Sequence, residues 1–312
     1  MSATAPAPTA AASHLPWRGP GPGRPESLPL PPNGRMPMLG PGRRLRKQWR
    51  YIGVFCEEFM LCAARAQVGP AGQTFWAVID RSSGEMIERT RKRVPFGRGD
   101  VWSLAAEGSE WPIGSDDPGV VTWIDAKEAR AELKVGDGKW AECVCPNGEG
   151  GWVWTRKRIA PVECDVRLPD GRRWHTTAFG IEDESAGYHP RHTVWSWSAG
   201  VGVTGDGRAV GWNLVSGVND PEHNSERAVW VDGEPHEPGP VEFAADLGSI
   251  TFAASDGGGR LDFQGEAERR AEENLGLIKF TYRQPFGTFS GDLGGVDLAS
   301  GIGVMEYHDA LW

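Results

Sequence analysis

The sequence predicts an all-β protein made of many short antiparallel strands, and three observations support this. Segments rich in β-branched and aromatic residues recur along most of the 312 residues. Asp-Gly steps, which suit tight hairpin turns, separate several of these segments. The 43 glycines and 24 prolines supply further turns and oppose long helices. About seventeen strands of this kind would form either one large sandwich or two barrels.

The first 45 residues differ from the rest in composition. They are rich in Pro, Ala and Gly and lack the apolar alternation of a strand. We therefore expect residues 1–45 to be a disordered leader, of which the folded protein can lose residues 1–40 without losing stability.

After the leader, strand-like segments follow one another at short intervals on either side of an acidic stretch at 182–186, which has the composition of a linker. This pattern predicts two β domains, 46–185 and 186–312. The charged segment 266–274 fits either one short helix or a solvated loop. The predicted strands are 51–56, 59–68, 74–80, 120–124, 131–135, 139–145, 152–158, 162–168, 172–181, 193–204, 208–216, 227–231, 241–245, 249–254, 261–265, 276–283 and 302–308.

Charge is distributed unevenly along the chain. Residues 1–50 hold eight basic residues and one acidic residue, whereas the remainder carries a net charge of −16. The acidic body should repel nucleic acid, so a nucleic-acid partner is not expected. The basic run 43–50 would contact anionic lipid or RNA, form a solvated arm, or pair with the acidic body of its own chain.

Several classes of protein are not expected from this sequence. It has no apolar run long enough for a membrane helix and no signal-peptide pattern, which predicts a soluble cytoplasmic protein without membrane insertion. The five cysteines lack the spacing of a zinc site and are expected to be reduced and structural. No phosphate-binding loop, dinucleotide fingerprint or nucleophile elbow lies in a suitable context, so no cofactor and no metal is expected.

Tryptophan is the most informative residue type, with fifteen against four tyrosines. Residues two apart in a strand share a face, so Trp195 and Trp197 should project together. Indole rings need apolar cover and a partner for one N–H group, which suits a deep aromatic pocket. We predict that the pocket binds a hydrophobic small molecule through Tyr188, Trp195, Trp197, Trp212, Asn213, Glu226, Trp230, Tyr282 and His308.

Two residues are candidate proton donors or acceptors for such a ligand. His189 and Glu306 would act in a cofactor-free hydration or cyclisation of a carbon–carbon double bond. Each also has a purely structural alternative, as a hydrogen-bonded histidine or as part of a packed final strand. A further alternative is a carbohydrate-binding or carbohydrate-active β protein with exposed tryptophan faces and two facing carboxylates.

A family resemblance adds to these predictions. The stretches below resemble the bacterial family called domain of unknown function 2804, and more distantly the two-domain lipocalin-like proteins, which include carotenoid hydratases, tocopherol cyclase and lipocalin-like Diels–Alderases. The resemblance implies two lipocalin-like antiparallel β-barrel domains and an isoprenoid, polyene or lipid ligand. The continuation Pro190-Arg-His lacks the acid that carotenoid hydratases carry after Gly-Tyr-His. The stretches are Arg50-Tyr-Ile-Gly-Val, Gly187-Tyr-His, Trp195-Ser-Trp-Ser-Ala-Gly-Val-Gly, Trp212-Asn-Leu-Val-Ser-Gly-Val-Asn-Asp220, Glu226-Arg-Ala-Val-Trp-Val-Asp-Gly233, Tyr282-Arg-Gln-Pro-Phe-Gly287 and Gly303-Val-Met-Glu-Tyr-His-Asp-Ala-Leu-Trp312.

Overall fold

The computed structural model of the chain is almost entirely extended. It describes residues 15–20, 23–32, 34–93, 99–105, 110, 113–115, 119–148, 150–253, 258–274 and 279–312. Within these ranges the chain forms twenty strands and a single helical turn, the three-residue 3-10 helix Pro41–Arg43, which confirms the all-β prediction. No helix in this part of the chain is long and apolar enough to cross a bilayer.

The first sheet contains eleven antiparallel strands. Its main path runs β5-β4-β3-β2-β11-β10-β8-β7-β6, and β9 joins β10 to β1. The strands are β1 (Trp17–Gly19), β2 (Lys47–Phe55), β3 (Phe59–Val68), β4 (Ala71–Asp80), β5 (Glu85–Arg93), β6 (Val101–Leu104), β7 (Val121–Asp125), β8 (Arg130–Val135), β9 (Ala141–Pro146), β10 (Trp152–Arg167) and β11 (Arg173–Gly187).

The second sheet contains nine antiparallel strands in the order β15-β14-β13-β12-β20-β19-β18-β17-β16. Both sheets curl into half-barrels whose pairing paths do not close, as in lipocalin-like proteins. The strands are β12 (His192–Thr204), β13 (Ala209–Ser216), β14 (Ala228–Val231), β15 (Glu234–His236), β16 (Val241–Phe243), β17 (Ser249–Phe252), β18 (Arg260–Asn274), β19 (Lys279–Asp292) and β20 (Asp297–Leu311).

Three apolar cores follow from the alternation of side chains along these strands. One fills the first half-barrel and includes Val54 and Trp76, and another fills the second and includes Trp212. The third lies between the sheets, where Tyr51 of β2 meets Trp197 of β12. The sheets therefore share a core, and the division into domains 46–185 and 186–312 stays a prediction.

Two segments differ from their predicted conformation. Residues 182–186, predicted to be a linker, lie inside β11, because Glu182 and Glu184 are neutralised by buried arginines. Residues 266–274, predicted to be a helix or loop, belong to β18, because pairing with β19 overrides local helix propensity.

The Asp-Gly steps behave largely as hairpin chemistry requires. At Asp232-Gly233 both residues have positive φ, 50° and 83°, and the turn joins β14 to β15. The step Asp256-Gly257 lies outside the described residues.

The predicted disordered leader is wrong for residues that the structure describes between 15 and 45. Trp17, Leu30 and Met36 are buried in a cluster with Trp152 and Tyr188. The low density of apolar residues hid this packing, because Trp17, Leu28, Leu30 and Met36 point into one cluster although they are far apart in the sequence. Residues 1–14 lie outside the described part of the chain.

The basic run 43–50 divides into different environments. Arg43 is exposed, whereas Arg50 is buried and bonds Glu182 of its own chain, with Nε donating to Oε1 at 2.8 Å. Lys47 is also buried. The run is therefore part of the fold and not a solvated arm.

Candidate functional site

Side chains from both sheets meet in one layer, which we call the inter-sheet layer. On β2, Lys47, Trp49 and Tyr51 alternate with residues of the first core and so face the second sheet. The second sheet contributes residues of β12, β19 and β20, whose registers place them side by side. The layer consists of Lys47, Trp49, Tyr51, Phe75, Trp195, Trp197, Tyr282, Glu306, His308 and Trp312.

Ring contacts run continuously through this layer. Tyr51 meets Trp197 edge-on, with ring centroids 5.4 Å apart, and lies 6.5 Å from Phe75. Trp195 of β12 lies opposite His308 of β20 in the strand register, and their ring centroids are 4.2 Å apart. The layer therefore combines aromatic surface with a few polar atoms, the composition of small-molecule sites.

Glu306 is the half-buried carboxyl of the layer. The Trp195 indole donates to its Oε1 at 2.9 Å, and the Gln284 amide donates to its Oε2 at 3.2 Å. Burial raises the pKa of Glu306 to about 7, although the Trp195 indole and the Tyr282 hydroxyl favour the ionised form. Glu306 is thus suited to exchange a proton near neutral pH.

Three polar atoms near this carboxyl have no hydrogen-bond partner in the structure: the hydroxyls of Tyr51 and Tyr282 and Nε2 of His308. The Tyr282 hydroxyl makes no hydrogen bond of normal geometry, although it is close enough to influence Glu306. Burial lowers the pKa of His308 to about 3, so its ring is neutral. Buried polar atoms without partners are uncommon in folded proteins.

Two polar residues of this region were not predicted from the sequence. Gln284 bonds Glu306, and Arg269 lies over the Phe75 ring at 4.6 Å while pairing with Glu88 at 2.6 Å. The alternation along β19 places Gln284 two residues from Tyr282, and that signal could have identified it. Nothing local distinguishes Arg269 from its charged neighbours.

Asn213 and Glu226 support the layer from behind. The Trp197 indole donates to Asn213 Oδ1 at 2.7 Å, and Asn213 Nδ2 donates to the Glu226 backbone carbonyl at 2.9 Å. Asn219 Nδ2 donates to Glu226 Oε2 at 2.8 Å, and Lys157 Nζ lies 3.7 Å from Oε1. Burial raises the pKa of Glu226. These contacts hold Trp197 in one orientation.

Three candidate residues lie elsewhere. Trp212 belongs to the core of the second half-barrel, where its indole donates to Ser198 Oγ at 3.0 Å. Trp230 donates to the Lys139 carbonyl at 2.9 Å. Tyr188 packs in the N-terminal cluster and donates to the Pro37 carbonyl at 2.8 Å.

His189 lies beside Trp49, which stands between Lys47 and Tyr51 on the same face of β2. The two ring centroids are 5.3 Å apart, and both His189 ring nitrogens are buried without hydrogen-bond partners. Burial, together with the nearby Lys47, lowers the pKa of His189 to about 3. The structure shows no contact between His189 and Glu306.

Thiol and carboxylate groups do not assemble into a metal centre among the residues described. No group of three or more His, Cys, Asp or Glu side chains there has the geometry to hold a metal ion. All five cysteines are free, and the Cys143 and Cys145 sulfurs lie 3.8 Å apart. Burial raises the pKa of the Cys143 thiol well above its ordinary value.

Two surface clefts lie away from the candidate residues. One, of about 740 Å³, is lined mainly by paired charges, and the other, of about 540 Å³, combines arginines with Pro and Met side chains. Neither is lined by a predicted site residue. The first is lined by Glu57, Glu58, Asp80, Arg81, Ser82, Arg172, Arg173, Trp174 and Glu266. The second is lined by Pro31, Pro32, Gly34, Arg35, Met36, Met38, Arg46, Gln48, Arg65, Gln67, Glu110, Ile113 and Ala186.

One solved structure shows the same fold, and others are similar to this chain over most of its length. A protein assigned as AttH (NE1406) from Nitrosomonas europaea is similar over 87% of this chain and 98% of its own, with a TM-score of 0.53 and 13% identity. Kievitone hydratase from Nectria haematococca matches 84% of this chain and 88% of its own, with a TM-score of 0.47 and 13% identity. CghA in complex with Sch210972 matches 91% of this chain and 95% of its own, with a TM-score of 0.44 and 11% identity. No curated protein matches the sequence.

The family assignment follows from the sequence itself. A family model described as a domain of unknown function matches residues 144–312, which is more than half of the chain and contains β10 to β20. These residues include Trp195, Trp197, Tyr282, Glu306 and His308 of the inter-sheet layer. The chain therefore belongs to the DUF2804 family.

Proposed function

We propose that the inter-sheet layer binds a hydrophobic small molecule, such as an isoprenoid, polyene or lipid. The observation that carries this proposal is the group of unpartnered polar atoms on Tyr51, Tyr282 and His308 within an aromatic layer. A buried polar atom without a partner costs about 1–3 kcal/mol. A polar group of the ligand would satisfy these atoms, while apolar contact with the rings would supply most of the affinity.

The protonation of Glu306 favours a second candidate function, a cofactor-free hydration or cyclisation. With its pKa raised to about 7, Glu306 retains a proton in a large fraction of molecules at neutral pH. Donation of that proton to one alkene carbon would leave a cation on the other. Addition of water and return of a proton to the Glu306 carboxylate would complete a hydration. Attack by a second double bond would instead form a ring and move the cation to that bond, and loss of a proton to the same carboxylate would complete a cyclisation. Aromatic faces such as Trp195 would stabilise the cation.

His189 fits this reaction as a hydrogen-bond partner and not as the acid. A histidine whose pKa is lowered to about 3 carries no proton to donate near neutral pH. The carbohydrate alternative gains no support, because no tryptophan is highly exposed in the described ranges and an enclosed layer gives sugars no stacking platform.

Replacing Glu306 by Gln tests the enzymatic version. The protein would be incubated with isoprenoid and unsaturated acyl compounds in deuterated water, and deuterium incorporation would be followed by mass spectrometry. We expect Glu306→Gln to lower turnover at least about a hundredfold, while affinity stays within about tenfold, or 1.4 kcal/mol.

Glu142→Gln is the matched control. Glu142 also accepts a hydrogen bond from an indole, that of Trp154 at 2.6 Å, but lies outside the inter-sheet layer. Unchanged turnover in Glu306→Gln would refute Glu306 as the proton donor, and equal losses in both variants would assign the effect to stability. Failure of all these compounds to bind would refute the binding function.

A further inference from the structure

Lys47 is a buried cation without an acidic partner. Its side chain is 3% exposed, yet no carboxylate lies within ion-pair distance in the part of the chain that the structure describes. Nζ donates to the His189 carbonyl at 3.2 Å and lies 5.1 Å from the centroid of the Trp312 ring. Burying an ammonium group is costly unless an opposite charge accompanies it.

The surroundings of Lys47 increase this need for a negative charge. Burial, together with the nearby Arg44 guanidinium, lowers the pKa of Lys47 to about 8. The two unpartnered ring nitrogens of His189 belong to the residue whose carbonyl Lys47 contacts. One ring nitrogen of a neutral histidine donates a hydrogen bond, so lysine and histidine together offer an anion two kinds of donor.

The position of Lys47 relates it to the proposed binding layer. Lys47, Trp49 and Tyr51 share one face of β2, and four residues of strand span about 13 Å. Trp312 covers Lys47 and stacks with Trp195, whose indole bonds Glu306. The Trp312 and Trp195 rings thus form an aromatic row, with the Lys47 ammonium at one end and the Glu306 carboxyl at the other.

We infer that Lys47 and His189 bind the carboxylate of an amphipathic acid whose apolar chain lies along this aromatic row. The inference rests on the proposed binding function and narrows its ligand to hydrophobic carboxylic acids. The carboxylate of the ligand lies about 13 Å from Tyr51 along β2, and Glu306 contacts the apolar chain of the ligand at the Tyr51 end.

Matched acid and alcohol ligands test the inference on the unmodified protein. Farnesoic acid would be compared with farnesol, and oleic acid with oleyl alcohol, by titrating tryptophan fluorescence at pH 7 below micelle-forming concentrations. We expect each acid to bind at least tenfold more tightly than its alcohol. Lys47→Met should remove this preference, so that each acid binds with an affinity similar to that of its alcohol.

Lys139→Met is the control, because Lys139 is exposed and pairs with Glu234 at the surface. It should keep the full preference for acids. Equal affinity for acid and alcohol in the unmodified protein would overturn the inference while leaving the binding function standing. Absence of binding by all four compounds would overturn both. A preference that survives Lys47→Met would overturn the assignment to Lys47.

Discussion

At the scale of single residues, burial changes acids and bases in opposite directions and thereby favours the neutral forms of Glu306, His308 and the neighbouring His189, which leaves Lys47 as the cation of the inter-sheet layer. It raises the pKa of Glu306 to about 7 and lowers the pKa of His189 and of His308 to about 3. All three groups can therefore be neutral close to pH 7. Uncharged polar groups around Glu306 are compatible with the apolar part of a ligand and still provide a proton.

Glu306 should make stability depend on pH. Its pKa is 4.5 in an ordinary environment and about 7 when folded, so the folded protein binds this proton more tightly than the unfolded chain. Its contribution is consequently intact below pH 4.5 and declines as the pH rises towards 7. At 1.36 kcal/mol per pKa unit, the loss amounts to about 3 kcal/mol.

Urea unfolding of the unmodified protein and of Glu306→Gln at pH 5 and pH 8 measures this contribution. The difference in unfolding free energy between the two proteins should change by about 3 kcal/mol in favour of the variant as the pH rises. Parallel pH profiles would show that Glu306 titrates normally in the folded protein.

At the scale of strands, β10 and β11 bury three successive ion pairs. Their register sets Arg156 opposite Glu184, Lys157 opposite Asp183 and Arg158 opposite Glu182. Alternation turns the outer two pairs towards Arg50 and the middle pair towards Glu226 of the second half. The same strand pair therefore serves both the first half-barrel and the contact between the sheets.

Lys157→Met should be strongly destabilising. It removes the cation between Asp183 and Glu226, and an uncompensated buried charge costs about 3–5 kcal/mol. Arg173→Met is the matched control on the same strand pair, because Arg173 bonds Asp165 at 2.9 Å but is 54% exposed. It should cost at most about 1 kcal/mol. Similar urea midpoints for the two variants would contradict this expectation.

These strands also show which elements the sequence could predict. Segments with alternating apolar residues were correctly recognised as strands, and the shared face of Trp195 and Trp197 follows from that alternation. Residues 182–186 could not be recognised, because the arginines that bond their carboxylates lie 24, 28 and 132 positions earlier. Lys47 and Arg269 were missed for a related reason: packing of one sheet on another leaves no local pattern.

At the scale of the molecule, the two sheets are joined by a shared core and by ion pairs between the halves. Arg81 bonds Glu266 at 2.8 Å, and Arg269 bonds Glu88 at 2.6 Å. The N-terminal segment adds a further connection, since β1 pairs with β9 and Arg18 donates to the carbonyl of Ser225. Both halves are therefore expected to contribute to one cooperative structure.

The N-terminal segment should contribute to stability. Leu30 is 1% exposed, and truncating a buried leucine to alanine costs about 2–5 kcal/mol. Leu39, in the same segment, is 53% exposed, and Leu39→Ala should change stability by no more than about 0.5 kcal/mol. Thermal unfolding of both variants tests this difference. Equal melting temperatures would restore the view of a dispensable leader.

The position of β1 has a consequence for synthesis on the ribosome. Its partner residues in β9 lie about 125 positions later, and the Arg18 contacts at Ser225 and Glu237 lie more than 200 positions later. At roughly 5–20 residues per second, these partners are made about 6 to 45 seconds after Trp17. For that period Trp17, Leu28 and Leu30 have no burial site, so this segment docks long after its own synthesis and is available to chaperones until then.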